Sequence, residues 1–129
     1  MTLQITALYA GILALILLGL SANVSRLRRQ AQIGIGHGDN PALERAVRVH
    51  GNFTEYVPLG LLLVALCELN GAPVWSLHAL GAALLVGRIL HAVGLGGSAG
   101  VTLQRLFGTT LTWLVLLFGG LTCLYLALA

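Results

Sequence analysis

The sequence contains no lysine and very little charge of either sign: seven arginines and four carboxylates make up 9% of its 129 residues. Soluble domains carry roughly a quarter of their residues as charged side chains, so an ordinary water-soluble fold is excluded. Seven cations opposed by four acids also give no basic surface of the kind nucleic acid requires. No nucleic-acid partner is expected, and anionic lipid heads or one anionic ligand fit the balance better. Cysteine is scarce. Cys67 and Cys123 are the only two, with no CxxC and no Cys/His ligand spacing, so no metal site is expected. Both should lie near the less charged end of the molecule as buried free thiols. A disulfide there would require that end to face an oxidising compartment. No internal repeat and no low-complexity tract interrupts the chain.

What is present is apolar. Hydrophobic residues make up 57% of the chain and the mean hydropathy is +0.92, which makes lipid the expected solvent. The length suits one domain, 1–129, with no room for a separate soluble unit. Four helices are predicted, at about 3–28, 41–70, 73–95 and 102–127, each long enough to cross a bilayer at about 1.5 Å per residue. The first is not expected to be a cleaved signal, because Met1-Thr2-Leu3-Gln4 lacks a basic stretch and the apolar run is too long. Arg26, Arg28 and Arg29 close it. Asn40-Pro41 marks the next helix start, with Asn40 as cap and Pro41 at the first helical position. Asn70-Gly71 ends the second helix, and Gly94, Gly96, Gly97 and Gly100 are expected to form the turn after the third.

An up-down-up-down path gathers all seven arginines at one end. The positive-inside bias then makes the first and third loops cytoplasmic and leaves both termini outside. The expected fold is therefore an all-α, four-helix up-down bundle in an inner or plasma membrane.

The second helix carries the chemistry. A charged side chain at a membrane helix centre costs about 2.5–3.5 kcal/mol on insertion scales, so the polar first half of this helix must face protein, water or the interface. Arg45, Arg48, Asn52, Glu55 and Tyr56 fall within an arc of about 100°. Guanidinium, amide, carboxylate and phenol on one stripe suit a small zwitterionic ligand. They equally suit an internal salt-bridge network, with Arg48 meeting Glu55 or Glu44 meeting Arg48. His50 points to another face, as a packing histidine bonded to a neighbouring helix or as a ligand contact. On the third helix Arg88 and His91 share a face, and Arg88 either pairs with Glu55 or lines the same cavity. Arg105 begins the fourth helix as an interfacial anchor or a catalytic cation. Trp75 and Trp113 are expected at the interface or in packing.

The stretch Glu44–Leu59 resembles the second-helix signature of the MAPEG family, the membrane-associated proteins of eicosanoid and glutathione metabolism. Arg48, Asn52, Glu55, Tyr56 and Pro58 match its R-x-x-x-N-x-x-E-Y-x-P pattern, and Gly87–Leu95 is similar to the third-helix motif of its bacterial branch. The resemblance implies a homotrimer that binds glutathione between neighbouring subunits, as co-substrate of a transferase or peroxidase acting on a hydrophobic small molecule dissolved among the membrane lipids. It implies that Arg48, Asn52, Glu55 and Tyr56 hold the tripeptide, with His50 reaching it from the adjacent subunit. Arg26, Arg88 and His91 are further candidate contacts. It also implies an arginine that activates the thiol, a role for which Arg26, Arg28, Arg29 and Arg105 compete, with Arg28 or Arg29 placed first and Arg105 second. Where eicosanoid-producing members carry tyrosines on the third helix, this sequence has His91 and Leu95, which points away from an eicosanoid product. Some relatives bind lipid without catalysis. The competing expectation is therefore a non-catalytic membrane protein that binds a lipid or a partner and keeps the polar stripe as a structural network.

Overall fold

The computed structural model describes residues 2–129. Among them there are four helices and no strand: α1 (Gln4–Ala31), α2 (Pro41–Leu69), α3 (Val74–Gly97) and α4 (Leu103–Leu128). At 1.5 Å per residue these are about 36–44 Å long, enough to cross a hydrocarbon core of about 30 Å. All four are long and apolar enough to be membrane spans, and the protein is an integral, multi-pass membrane protein.

Local chemistry sets most of the helix ends. The Asn40 side chain accepts from the Leu43 N–H at 3.0 Å, with Pro41 at the first helical position. Thr102 does the same for the Arg105 N–H at 3.2 Å. Each removes one of the unpaired donors at a helix start. Gly71 leaves α2 at φ +78°, where a side chain would be strained. Two boundaries differ from expectation. α1 runs past Arg26, Arg28 and Arg29 to Ala31, because arginine is a good helix former and needs only an exit from lipid; Gln32 then ends it at φ 57°. α3 absorbs Gly94, Gly96 and Gly97 instead of breaking at them. Gly94 is needed within the helix, since a Cβ there would lie 2.6 Å from the Arg105 nitrogen at the start of α4.

Cross-helix contacts establish the path. The starts of α1 and α3 and the end of α2 meet at one end of the bundle, through Glu68 to Thr6 and Tyr9 to His78. The ends of α2 and α4 meet there too, at Cys67 and Cys123. The helices therefore alternate in direction. α1 packs on α2 and α3, and among the described residues it does not meet α4. α3 and α4 also approach closely at Gly108, where an added Cβ would fall 2.5 Å from the His91 nitrogen. Such backbone proximity substitutes for a hydrophobic driving force that lipid cannot supply. Leu13, Phe53, Val57, Leu84 and Val115 fill the middle of the bundle. Large apolar residues such as Leu15, Leu18, Trp75 and Trp113 cover its outside.

Candidate functional site

At the arginine-rich end α2, α3 and α4 border a cavity of about 230 Å³, lined by Glu44, Arg45, Arg48, Asn52, His91 and Arg105 among others. Three guanidiniums face one carboxylate there. The Arg45 Nε is buried without a hydrogen-bond partner, and a buried unpaired donor is costly unless something accepts from it. Arg48 is 61% exposed and its nearest carboxylate, Glu55, is 54% exposed at 4.0 Å. A pair that long and that open holds neither side chain firmly. The alternative expectation, Glu44 with Arg48, forms no ion pair among the described residues.

Behind this cavity lies a second, closed arrangement. Arg88 is 2% exposed and is the largest fully buried side chain of the bundle. Its Nε donates to Thr112 Oγ1 at 3.0 Å, Nη1 to Asn52 Oδ1 at 2.5 Å, and Nη2 to the Gly108 carbonyl at 3.5 Å. The guanidinium carbon lies 5.2 Å from the centre of the Tyr56 ring, a cation–π separation. Arg88 thus meets Asn52 and Tyr56 and not Glu55, contrary to the ion pair considered for it. Glu55 lies on the open face of α2, whereas Arg88 comes in from α3 beneath Asn52. The polar stripe of α2 therefore divides in two: Asn52 and Tyr56 are held from below, while Arg48 and Glu55 stay free.

The other candidates scatter. His91 is 5% exposed and lines the cavity. His50 Nε2 lies 2.9 Å from Ser21 Oγ of α1, the neighbouring-helix bond that a packing histidine makes. Arg26 bonds to Asn23 and Gln30 on its own helix and borders a separate hollow between α1, α2 and α3. Arg28 donates to the carbonyls of Gly34 at 3.3 Å and Gly36 at 2.7 Å and so organises the first loop. Arg29 stands beside Arg28 on the surface of that loop. Within one subunit, Arg105 alone of the thiol-activating candidates shares the cavity with Arg48 and Asn52. Arg45 belongs to the cavity as well. This agrees with its angular position beside Asn52 in the α2 stripe, although the family resemblance alone does not place it among the ligand contacts.

At the opposite end, Glu68 accepts from the Ile5 N–H at 2.9 Å, the Thr6 N–H at 2.8 Å and the Thr6 hydroxyl at 2.6 Å. A side chain of α2 thereby caps the start of α1, a residue role the sequence did not suggest.

The MAPEG family model matches residues 6–125, which takes in nearly all of every helix. The chain is 39% identical over 119 residues to Inner membrane protein YecN of Escherichia coli strain K12, a match covering 88% of this chain and 86% of that protein. The protein of the same name from Escherichia coli O6:H1 matches to the same extent.

Proposed function

Because the chain belongs to the MAPEG family, we propose that it binds glutathione in the cavity between α2, α3 and α4 and transfers it to, or reduces with it, hydrophobic electrophiles dissolved in the bilayer. The observation that carries this reading is the cavity wall: Arg45, Arg48 and Arg105 stand with Asn52 around one space that contains a single carboxylate. Glutathione brings two carboxylates, an ammonium and two peptide groups. Arginine takes a carboxylate through two parallel hydrogen bonds, Glu55 accepts from the ammonium, and Asn52 and Tyr56 meet a peptide group.

The cavity of about 230 Å³ is smaller than the roughly 300–1,000 Å³ usual for ligand sites. Arg48 and Glu55 also face outward from the subunit. Both facts support a site completed by another copy of the chain, and we take the assembly to be a homotrimer. The membrane is taken to be an inner membrane, as for the Escherichia coli relative, and the arginine-rich end is assigned to its cytoplasmic side by the positive-inside bias.

Calorimetric titration of the purified protein with glutathione tests the proposal. Saturable binding is expected. Arg48→Ala, Asn52→Ala and Glu55→Ala should each weaken it by about tenfold to a hundredfold, the worth of one charge-assisted hydrogen bond at about 1.5–3 kcal/mol. Absence of binding to the folded protein would reject it. It would favour a non-catalytic lipid- or partner-binding protein instead, for which the Arg88 network, complete without any ligand, is the supporting feature.

A further inference from the structure

Two thiols lie outside the cavity and outside the proposed chemistry. Cys67, in the last turn of α2, is fully buried, and Cys123, in the last two turns of α4, is half-buried. Their sulfurs are 3.4 Å apart. Each thiol also faces the backbone of the opposite helix, Cys67 toward the Gly119 carbonyl at 3.8 Å and Cys123 toward the Leu63 carbonyl at 3.6 Å. In both cases the carbonyl lies one helical turn before the partner cysteine, so the arrangement is reciprocal. Gly119 permits the approach, since a Cβ there would fall 3.2 Å from that of Leu63. A disulfide bond is about 2.05 Å long, so closure needs an approach of about 1.3 Å.

We propose that Cys67 and Cys123 are a modification site, a two-electron thiol couple that a disulfide-bearing oxidant converts into a cross-link between α2 and α4. Cys123 is the more accessible thiol. It loses its proton, and its sulfur attacks one sulfur of the oxidant. The oxidant's S–S bond breaks, and its other half leaves as a thiolate that takes up the proton. Cys67 then loses its proton and attacks the Cys123 sulfur, displacing the second half in the same way. Two protein thiols are oxidised to one disulfide, and the oxidant disulfide is reduced to two thiols. The pair lies at the end away from the arginines. In the orientation proposed above, on which this one point rests, that end faces the oxidising side of an inner membrane. The exchange itself does not depend on orientation. Its consequence reaches the cavity, because α2 carries Arg48 and Asn52 while α4 carries Arg105. A covalent tie between these helices fixes how far one slides against the other.

The reduced protein in lipid nanodiscs, freed of reductant and treated with dithiodipyridine, tests this. The expected result is release of two pyridinethiones per chain, and an intact mass lighter by two hydrogens with no pyridyl group attached. Cys67→Ala should release one pyridinethione and retain one pyridyl group on Cys123. A wild-type chain that keeps its pyridyl groups, stays unmodified or cross-links to another chain would overturn the proposal. Should the alanine variant fail to fold, the wild-type mass alone decides.

Discussion

The guanidinium of Arg88 on α3 donates to the side-chain oxygen of Asn52 on α2 across 2.5 Å. Asn52 is thereby fixed with one face toward a buried cation and the other toward the cavity. An arginine can do this because its planar fork also reaches Thr112 and Gly108. Lysine carries the same charge but is a point donor without the fork. Arg88→Lys should therefore lower the thermal unfolding midpoint of the detergent-solubilised protein, with a loss of about 1.5–3 kcal/mol for each charge-assisted bond not remade. Glutathione affinity should fall with it, by about tenfold, because Asn52 is no longer held. Unchanged stability and affinity in the lysine variant would show that the network does not position Asn52.

Glu68 should behave as a clasp between α1 and α2. Its carboxylate satisfies two backbone N–H groups at the start of α1 and the Thr6 hydroxyl, and negative charge is favoured there by the helix dipole. Glu68→Ala is expected to destabilise the bundle by about 1.5–3 kcal/mol. Glu68→Gln should lie between it and the wild type, since the amide keeps one acceptor oxygen and turns a donor toward a donor. Faster hydrogen exchange at the Ile5 and Thr6 amides in both variants is the local check. Exchange rates equal to those of the wild type would remove the clasp from the account of α1.

Much of this was legible in the sequence because the signals were local. Asn40-Pro41 and Asn70-Gly71 set the bounds of α2, the charge-free runs marked the spans, and the 100° step placed Arg45, Arg48 and Asn52 on one side. The Glu68 clasp was not legible, since its partners lie more than sixty positions away and nothing local distinguishes it from a carboxylate at a helix end. Glycine misled at the end of α3. Gly94 looks like a turn residue in a string of letters, but it is there so that the start of α4 can touch the helix. The choice among Arg28, Arg29 and Arg105 depended on where loop carbonyls fall. Arg28 turns to Gly34 and Gly36, an arrangement that only the folded loop creates.

The proposed membrane orientation rests on charge placement. Arg26, Arg28 and Arg29 at the end of α1, Arg45 and Arg48 at the start of α2, and Arg105 at the start of α4 all belong to one end of the bundle. Reporter fusions at Ala129 should report the non-cytoplasmic side, and fusions in the loop 32–40 the cytoplasmic side. A cytoplasmic reporter signal at Ala129 would invert the assignment.

Thiol chemistry discriminates among the arginines. Attack on an electrophile requires the thiolate, because a protonated thiol is a poor nucleophile. A free thiol has a pKa of about 8.5, so only a few per cent is ionised at neutral pH. A fixed cation within about 4–6 Å favours the anion, more so where water is excluded. The chain has no lysine, and a guanidinium stays charged throughout this range. Arg105 shares the cavity with Arg48 and Asn52, whereas Arg28 is committed to loop carbonyls of its own subunit. Thiolate absorbance of bound glutathione, followed against pH, should therefore titrate below the free thiol in the wild type. Arg105→Ala should return the titration most of the way to that of the free tripeptide. Arg28→Ala and Arg29→Ala should shift it less, and Arg28→Ala should loosen the first loop. If Arg105→Ala leaves the titration low while Arg28→Ala or Arg29→Ala restores it, the activating cation comes from the end of α1. In a trimer, that residue would then belong to the neighbouring subunit.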